Sequence, residues 1–88
     1  MDFEFDPQKS EINKAKHGID FVEAQKLWKF KMVVLPARDR LEKRYLALGA
    51  MDSRHWAAII TYRGATIRII SVRRATHSEI EIYEKIAT

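Results

Sequence analysis

The stretch RYLALGAMDSRHWAAIITYRGATIRIISVR, residues 44–73, decides the fold. It contains three segments rich in Ile, Ala, Thr and aromatic residues, a composition typical of β-strands. These segments are 44–51, 54–63 and 65–73. Because only the short turns at Asp52-Ser53 and around Gly64 separate them, the segments are predicted to pair as antiparallel hairpins.

Two further strands are predicted upstream. FKMVVLP (30–36) is expected to lie at a sheet edge, because Pro36 cannot donate to a strand ladder. FEF (3–5) is a candidate for a short first strand. The charged stretch ARDRLEK (37–43) is expected to be a loop.

Two helices are predicted between FEF and the edge strand. The first is expected over 7–17, because Asp6 can cap its start, Pro7 suits its first position, and Gly18 can end it. The second is expected over 20–29, where an Asp-x-x-Glu capping box precedes apolar residues at helical spacing.

A third helix is predicted at the C-terminus. Thr76 and Glu79 form a second capping box, and Ile80, Tyr83 and Ala87 share one helical face. The expected architecture is α+β, with two N-terminal helices, a four-stranded antiparallel sheet and a C-terminal helix. We expect the helices to pack on one face of the sheet, in a single domain over residues 1–88.

Composition narrows the cellular context. The chain of 88 residues has no cysteine, so disulfides and thiolate metal sites are excluded, and a reducing compartment is favoured. No apolar run approaches the roughly 20 residues that a membrane-spanning helix needs. The start, MDFEFDPQKS, lacks the features of a signal peptide. We therefore expect a cytoplasmic protein with no membrane partner.

Positive charge is concentrated in the predicted sheet segment. Residues 38–74 contain nine Lys/Arg and three Asp/Glu, and eight of the nine are arginine. The rest of the chain has seven Lys/Arg and nine Asp/Glu. The planar guanidinium suits phosphate groups, so the sequence favours an anionic partner. Ordinary solubilising charge is the alternative.

Several catalytic classes are excluded by the residues present. His17, His55 and His77 are scattered, so no metal-ligand spacing exists, and the sheet segment has few carboxylates for a two-metal site. No glycine-rich phosphate loop or nucleophile elbow is found. An enzyme of this sequence is expected to use no metal, cofactor or covalent intermediate. RNA cleavage by the substrate's own 2′-hydroxyl fits, since arginines can stabilise the anionic phosphorus centre.

Alternation along the last strand predicts which arginines share a face. If successive side chains alternate without interruption, Arg68 lies on the same face of the sheet as Ile70, Val72 and Arg74, and Arg73 points to the other face. An arginine inside so apolar a strand indicates the wall of a site.

Three stretches resemble the BrnT-type toxins of bacterial type II toxin–antitoxin systems. They are FEFDPQKSEINKAKHGIDFVEA (3–24), EKRYLALG (42–49) and RIISVRRATHSEIEIYE (68–84). The resemblance implies a RelE-like ribonuclease that halts translation by cutting RNA, either on or off the ribosome. It also implies a BrnA-type antitoxin with a ribbon-helix-helix domain, through which the complex reaches operator DNA.

Candidate site residues follow from the charge pattern and the resemblance. Those assigned to catalysis are Arg73, Arg44, Arg68, His77 and Glu42. Those assigned to RNA binding are Arg74, Lys16, His17, Arg63 and Tyr83. Most of them have a structural alternative. Arg73 and Arg74 could be a solvated strand end, Arg68 a charge on the sheet surface, and Glu42 a tether of Arg44. His77 could be an exposed helix-start residue, Lys16 and His17 could be favoured by the helix dipole alone, and Tyr83 could pack the last helix against the sheet.

Two other functions stay open at this stage. The same basic face could serve a non-catalytic RNA- or ribosome-binding module, which would leave RNA intact. The chain could also be an inactive toxin that is retained as the antitoxin's partner and co-repressor.

Overall fold

The computed structural model describes residues 1–38 and 41–87, so part of the predicted 37–43 loop lies outside the described residues. Strands and helices follow one another in the order β1 (Asp2–Glu4), α1 (Pro7–His17), α2 (Phe21–Ala24), a 3-10 helix (Gln25–Lys29), β2 (Met32–Ala37), β3 (Arg44–Met51), β4 (Arg54–Arg63), β5 (Thr66–Arg74) and α3 (His77–Ala87). The α+β class is confirmed.

The sheet has five strands in the order β1-β5-β4-β3-β2. Strands β2 to β5 pair in antiparallel fashion as predicted, and β2 lies at an edge as its proline indicates. A short first strand is found as predicted, displaced by one residue from 3–5 to Asp2–Glu4, but β1 pairs with β5 in parallel, so the sheet is mixed. The prediction of four antiparallel strands was wrong here, because a three-residue strand carries no local signal for a partner so distant in the sequence.

The hairpin between β3 and β4 has the geometry that a two-residue loop requires. Asp52 and Ser53 have φ angles of 54° and 63°. Positive φ at both central residues is the mark of a type I′ turn, whose twist matches that of the flanking strands. The predicted bounds 44–51 and 54–63 agree with those of β3 and β4.

The three helical regions cover both faces of the sheet. On one face α2 and the 3-10 helix bury the residues Phe21, Ala24 and Leu27 against Ala47, Ala58, Ile60, Ile69 and Val72. On the other face Tyr83 of α3 packs with Val33, Leu48 and Ala57. The prediction that all helices lie on one face was therefore wrong. Strands β3 and β4 have apolar residues at successive positions, so both of their faces must be shielded from water.

The first N-terminal helix begins and ends where the sequence predicts. Asp6 accepts hydrogen bonds from two backbone N–H groups of α1, and Gly18 ends that helix with a φ of 78°. The second helix is shorter than predicted, because α2 changes into the 3-10 helix after Ala24. Phe21, Ala24 and Leu27 are buried at every third position of this region, a spacing that suits a helix with three residues per turn.

Across the part of the chain that is described, none of the helices combines the length and the apolar character needed to traverse a bilayer.

Candidate functional site

One row of polar side chains crosses the sheet on the face that α3 packs against. Arg68 of β5 is paired with Thr61 of β4 on one side and with Glu4 of β1 on the other. Tyr45 is paired with Ile60, which places Arg44 opposite Thr61. Because neighbouring strands lie about 4.8 Å apart, the Cα atoms of Arg44 and Arg68 are separated by roughly 10 Å. The row therefore brings two of the predicted catalytic arginines together.

A β-bulge in β5 changes which arginines share this face. Ile59 pairs with Ser71 while Ile60 pairs with Ile69, so Ile70 is an extra residue without an opposite partner. An extra residue shifts the alternation of all side chains beyond it. Arg73, opposite Ala57, thus lies on the same face as Arg68.

The predicted grouping of Arg68 with Val72 and Arg74 was wrong for the same reason. Val72 lies opposite Ala58 and Arg74 opposite Trp56, and both partners belong to the core under the N-terminal helices. Arg74 extends over the ring of Trp56, with 5.6 Å between its guanidinium carbon and the ring centroid. Arg74 is therefore on the face opposite to Arg68 and Arg73.

Arg73 makes a bidentate ion pair on this face. Its Nη1 and Nη2 atoms donate to the two carboxylate oxygens of Glu79 at 2.7 and 3.0 Å. Glu79 also accepts from the backbone N–H of Thr76 at 2.8 Å, completing the predicted capping box. The bonds from Arg73 lower the pKa of Glu79 to about 2, and those bonds raise the pKa of Arg73. Arg73 thus fastens the end of β5 to the start of α3.

Arg44 and Arg68 also have carboxylate neighbours. Arg44 Nε donates to Glu42 Oε1 at 3.3 Å. Arg68 Nη1 lies 3.7 Å from Glu4 Oε1, and Arg63 Nε approaches the same oxygen at 3.3 Å. Within residues 1–38 and 41–87 this Glu4 oxygen is shielded from solvent and accepts no well-formed hydrogen bond. The separation of 3.7 Å is long for an ion pair, and Arg63 also approaches this oxygen, so a phosphate could compete for the Arg68 guanidinium.

The predicted catalytic arginines of this face lie at two separate positions. Along β5, four residue steps other than the bulge separate Arg68 from Arg73, which corresponds to roughly 13 Å at 3.3 Å per residue. The arginines therefore form a pair, Arg44 with Arg68, and a separate group, Arg73 with Glu79. A nucleic-acid strand that lies along the face could meet both.

The remaining predicted residues lie around the edges of this face. His77 is exposed in the first turn of α3, where its Nε2 lies 2.8 Å from Glu81 Oε1. Lys16 and His17 are in the last turn of α1, away from the arginine row. Tyr83 is buried, and its hydroxyl donates to the carbonyl of Lys31 at 3.0 Å. Base stacking by Tyr83 would therefore require α3 to move.

The sequence did not indicate several side chains that shape the site. Thr61 lies between Arg44 and Arg68, and its hydroxyl donates to the carbonyl of Lys43 at 2.8 Å. Glu4 is shared by Arg63 and Arg68. Glu4 stands in the predicted FEF strand and Thr61 two positions before Arg63, but only the strand register brings them to the row.

A second pair was also missed. His55, interpreted from the sequence as a core or hairpin residue, has its Nε2 2.8 Å from Glu84 Oε1 and its ring against Tyr83. These residues are separated by 29 positions, so no local pattern indicates the contact. Over the described ranges, no group of three His, Cys, Asp or Glu residues could hold a metal ion.

Comparison with known proteins gives one family. The family model described as "Ribonuclease toxin, BrnT, of type II toxin-antitoxin system" matches residues 5–79. This range includes β2 to β5 and the start of α3, and therefore Arg44, Arg68, Arg73 and Glu79. No curated protein matches the chain.

Proposed function

The chain belongs to the BrnT family of ribonuclease toxins of type II toxin–antitoxin systems, and we propose that it arrests translation by metal-independent cleavage of RNA. The family gives RNA as the substrate and an antitoxin as the partner. The observation that carries the finer proposal is the arginine row on the α3 side of the sheet, within the matched range. We also propose that the fold is RelE-like, as the resemblance implies.

The proposed reaction uses the substrate's own nucleophile. The 2′-oxygen forms a bond to the adjacent phosphorus as its proton passes to a base. The bond from phosphorus to the 5′-oxygen breaks, and that oxygen takes a proton from an acid. The products are a 2′,3′-cyclic phosphate and a 5′-hydroxyl end. Negative charge on the phosphorane oxygens is what the protein must stabilise, and fixed cationic donors do this well in a partly dry site.

Arg44 and Arg68 are proposed to hold the scissile phosphate. They face the same side of the sheet with only Thr61 between them, and their side chains are about one-third exposed, 35% and 30%. Arg68 lies 3.7 Å from Glu4 Oε1, and Arg63 is nearer to the same oxygen at 3.3 Å, so Arg68 can turn to a phosphate while Glu4 keeps a cationic neighbour. Bidentate guanidinium–phosphate hydrogen bonds are charge-assisted and strong, so both arginines suit a phosphate ligand.

Arg73 is proposed to bind a neighbouring phosphate of the same strand. It shares the face with Arg68 but lies two rows further along, next to the start of α3. The N-terminus of a helix adds favourable potential for an anion. Glu79 would compete with that phosphate for the guanidinium, since it holds both Nη atoms.

Proton transfer is proposed to involve Glu42 at the arginine pair. Its carboxylate already contacts Arg44, which places it beside the phosphate that Arg44 would bind. His77, the other predicted group, lies with Arg73 at the opposite end of β5. It is thus suited to the second phosphate rather than to the scissile one.

The partner is proposed to be a BrnA-type antitoxin with a ribbon-helix-helix domain that carries the complex to operator DNA. We propose that it covers the arginine face. If so, the complex should bind RNA less tightly than the toxin alone. Equal RNA affinity of toxin and complex would place the inhibition elsewhere.

A second candidate is a toxin that binds RNA without cutting it. It is favoured by one observation, namely that Arg44, Arg68 and Arg73 each have a carboxylate within 4 Å. Purified protein, incubated with single-stranded RNA in EDTA, separates the two. Cleavage with cyclic-phosphate ends supports the first proposal. Binding with intact RNA, or cleavage that requires added metal, would reject it.

A further inference from the structure

Two tyrosines at one end of the sheet form a pair whose outer ring is open to solvent. Tyr62, near the end of β4, meets Tyr45, near the start of β3, edge to face with 5.0 Å between ring centroids. Tyr45 is half-buried against the core, whereas 44% of Tyr62 is exposed. Tyr45 therefore holds the orientation of a ring that still has a free face.

A cavity lies beside this pair. It has a volume of about 330 Å³, and its walls are Pro36, Ala37, Lys43, Arg44 and Tyr45. A cavity of this size is at the lower end of small-ligand sites, roughly 300–1,000 Å³. It connects the tyrosine pair to Arg44 of the arginine row.

The charge at this end of the sheet favours a polyanion. Counted over the described residues at this end, the cationic side chains are Arg38, Lys43, Arg44, Arg63 and Arg68, and the carboxylates are Asp2, Glu4 and Glu42. Cationic side chains therefore outnumber carboxylates at this end of the sheet, although Arg44, Arg63 and Arg68 each have an acidic neighbour. An exposed aromatic ring inside a cationic region is the combination by which proteins bind single-stranded nucleic acid.

We propose that Tyr62 is a stacking site for an unpaired base of RNA, with Tyr45 as its support and Lys43, Arg44 and Arg63 as contacts for the flanking phosphates. The proposal rests on the proposed function for its choice of RNA as the ligand. The tyrosines and the arginine row lie on opposite faces at the same strand ends, so the RNA strand passes around the ends of β3 and β4. A base within a duplex is already stacked on both sides, so the site selects single-stranded RNA.

The test compares three variants of the full chain in binding a fluorescent single-stranded RNA of about ten nucleotides. The probe carries 2′-O-methyl groups, so it has no nucleophile and stays intact during titration. Tyr62→Ala removes the ring and Tyr62→Phe retains it. Phe30→Ala is the matched control, because Phe30 is an exposed aromatic residue between two lysines, near the opposite end of the sheet.

We expect Tyr62→Ala to weaken single-strand binding roughly 5- to 150-fold, the range that one stacked base provides. Tyr62→Phe and Phe30→Ala should bind like the wild type, and duplex affinity should not depend on Tyr62. Thermal unfolding of each variant verifies that the fold is retained. The proposal is overturned if Tyr62→Ala binds as wild type, if both tyrosine variants lose affinity equally, or if the wild-type chain does not bind the probe.

Failure of the proposed cleavage would be seen separately. A wild-type chain that binds the probe through Tyr62 but leaves an unmodified RNA intact would reject the ribonuclease mechanism and support the stacking site.

Discussion

Asn13 of α1 binds the backbone of Val72 in β5 with both ends of its carboxamide. Its Nδ2 donates to the Val72 carbonyl at 2.9 Å, and the Val72 N–H donates to its Oδ1 at 3.1 Å. The same Nδ2 also donates to the carbonyl of Ile19 at 2.8 Å. Because β1 pairs with β5 only as far as Arg68, Asn13 provides Val72 with the hydrogen bonds that a longer β1 would have made.

The first prediction concerns this side chain. Asn13→Ala would leave one N–H and two carbonyl groups in a buried region without their partner, so we expect a loss of about 3 kcal/mol in the free energy of unfolding. Urea unfolding followed by circular dichroism measures it. Lys9→Ala, at an exposed position of the same helix, should change the free energy by less than about 0.5 kcal/mol. Equal effects of the two substitutions would show that Asn13 does not hold β5.

The second prediction concerns how the free energy of unfolding changes at acid pH. The folded pKa of Glu79, about 2, is below the ordinary value of 4.5, so its bonds to Arg73 stabilise the fold above the unfolded pKa. That contribution is lost as the pH falls from about 4.5 towards 2. Glu79→Gln should therefore lower the free energy of unfolding near neutral pH, by at most about 3 kcal/mol, and the deficit should shrink in acid.

Unfolding by urea at about pH 7 and about pH 3 gives the comparison. Glu11→Gln is the control, because Glu11 is an exposed carboxylate of α1. The difference in free energy of unfolding between this variant and the wild type should be the same at both pH values. A Glu79→Gln deficit that is the same at both pH values would mean that the ion pair with Arg73 does not stabilise the fold.

The local features of the fold were predictable from the sequence. Capping at Asp6 and Asp20, the stop at Gly18 and the two-residue turn at Asp52 depend on residues adjacent in the chain. Local chemistry fixes such features, and they agree with the structure. The bounds of β3 and β4 agree with the prediction because a short turn separates them, whereas β2 and β5 are displaced by one or two residues from the predicted 30–36 and 65–73.

The site was only partly predictable, because it depends on the pairing of distant strands. Arg44, Arg68 and Arg73 were identified by type and position, but their grouping was not. One extra residue, Ile70, reverses the alternation after it, and no residue type marks the bulge. The acidic partners Glu4 and Glu79 were missed for a similar reason, since alternation within one strand gives no information about which side chain lies across from it.

The third prediction separates two roles of Arg73. If Arg73 binds a phosphate next to the scissile one, Arg73→Ala should lower kcat/KM for RNA roughly 10- to 150-fold, the loss of one charge-assisted hydrogen-bonded contact. Glu79→Gln should keep or raise kcat/KM, because it releases the Arg73 guanidinium. Both should lower stability to a similar extent, since both break the same pair. The measurements are initial cleavage rates in EDTA and unfolding of the same samples. If the two variants lose activity equally, Arg73 acts only by fastening α3 to the sheet.

The last prediction concerns the arginine row itself. A guanidinium that binds phosphate releases a counterion, so Arg68→Ala should reduce the slope of log Kd against log salt by about one unit. The same change should lower cleavage more than it lowers binding if Arg68 contacts the scissile phosphate in the transition state. Arg54→Ala is the matched control, since Arg54 is exposed at the hairpin end of the sheet, far from the row. Arg68 and Arg54 variants with the same slope and the same cleavage rate would mean that total charge, and not the row, attracts the RNA. A loss confined to Arg68→Ala and Arg44→Ala would instead place the scissile phosphate between these two strands, above the hydroxyl of Thr61.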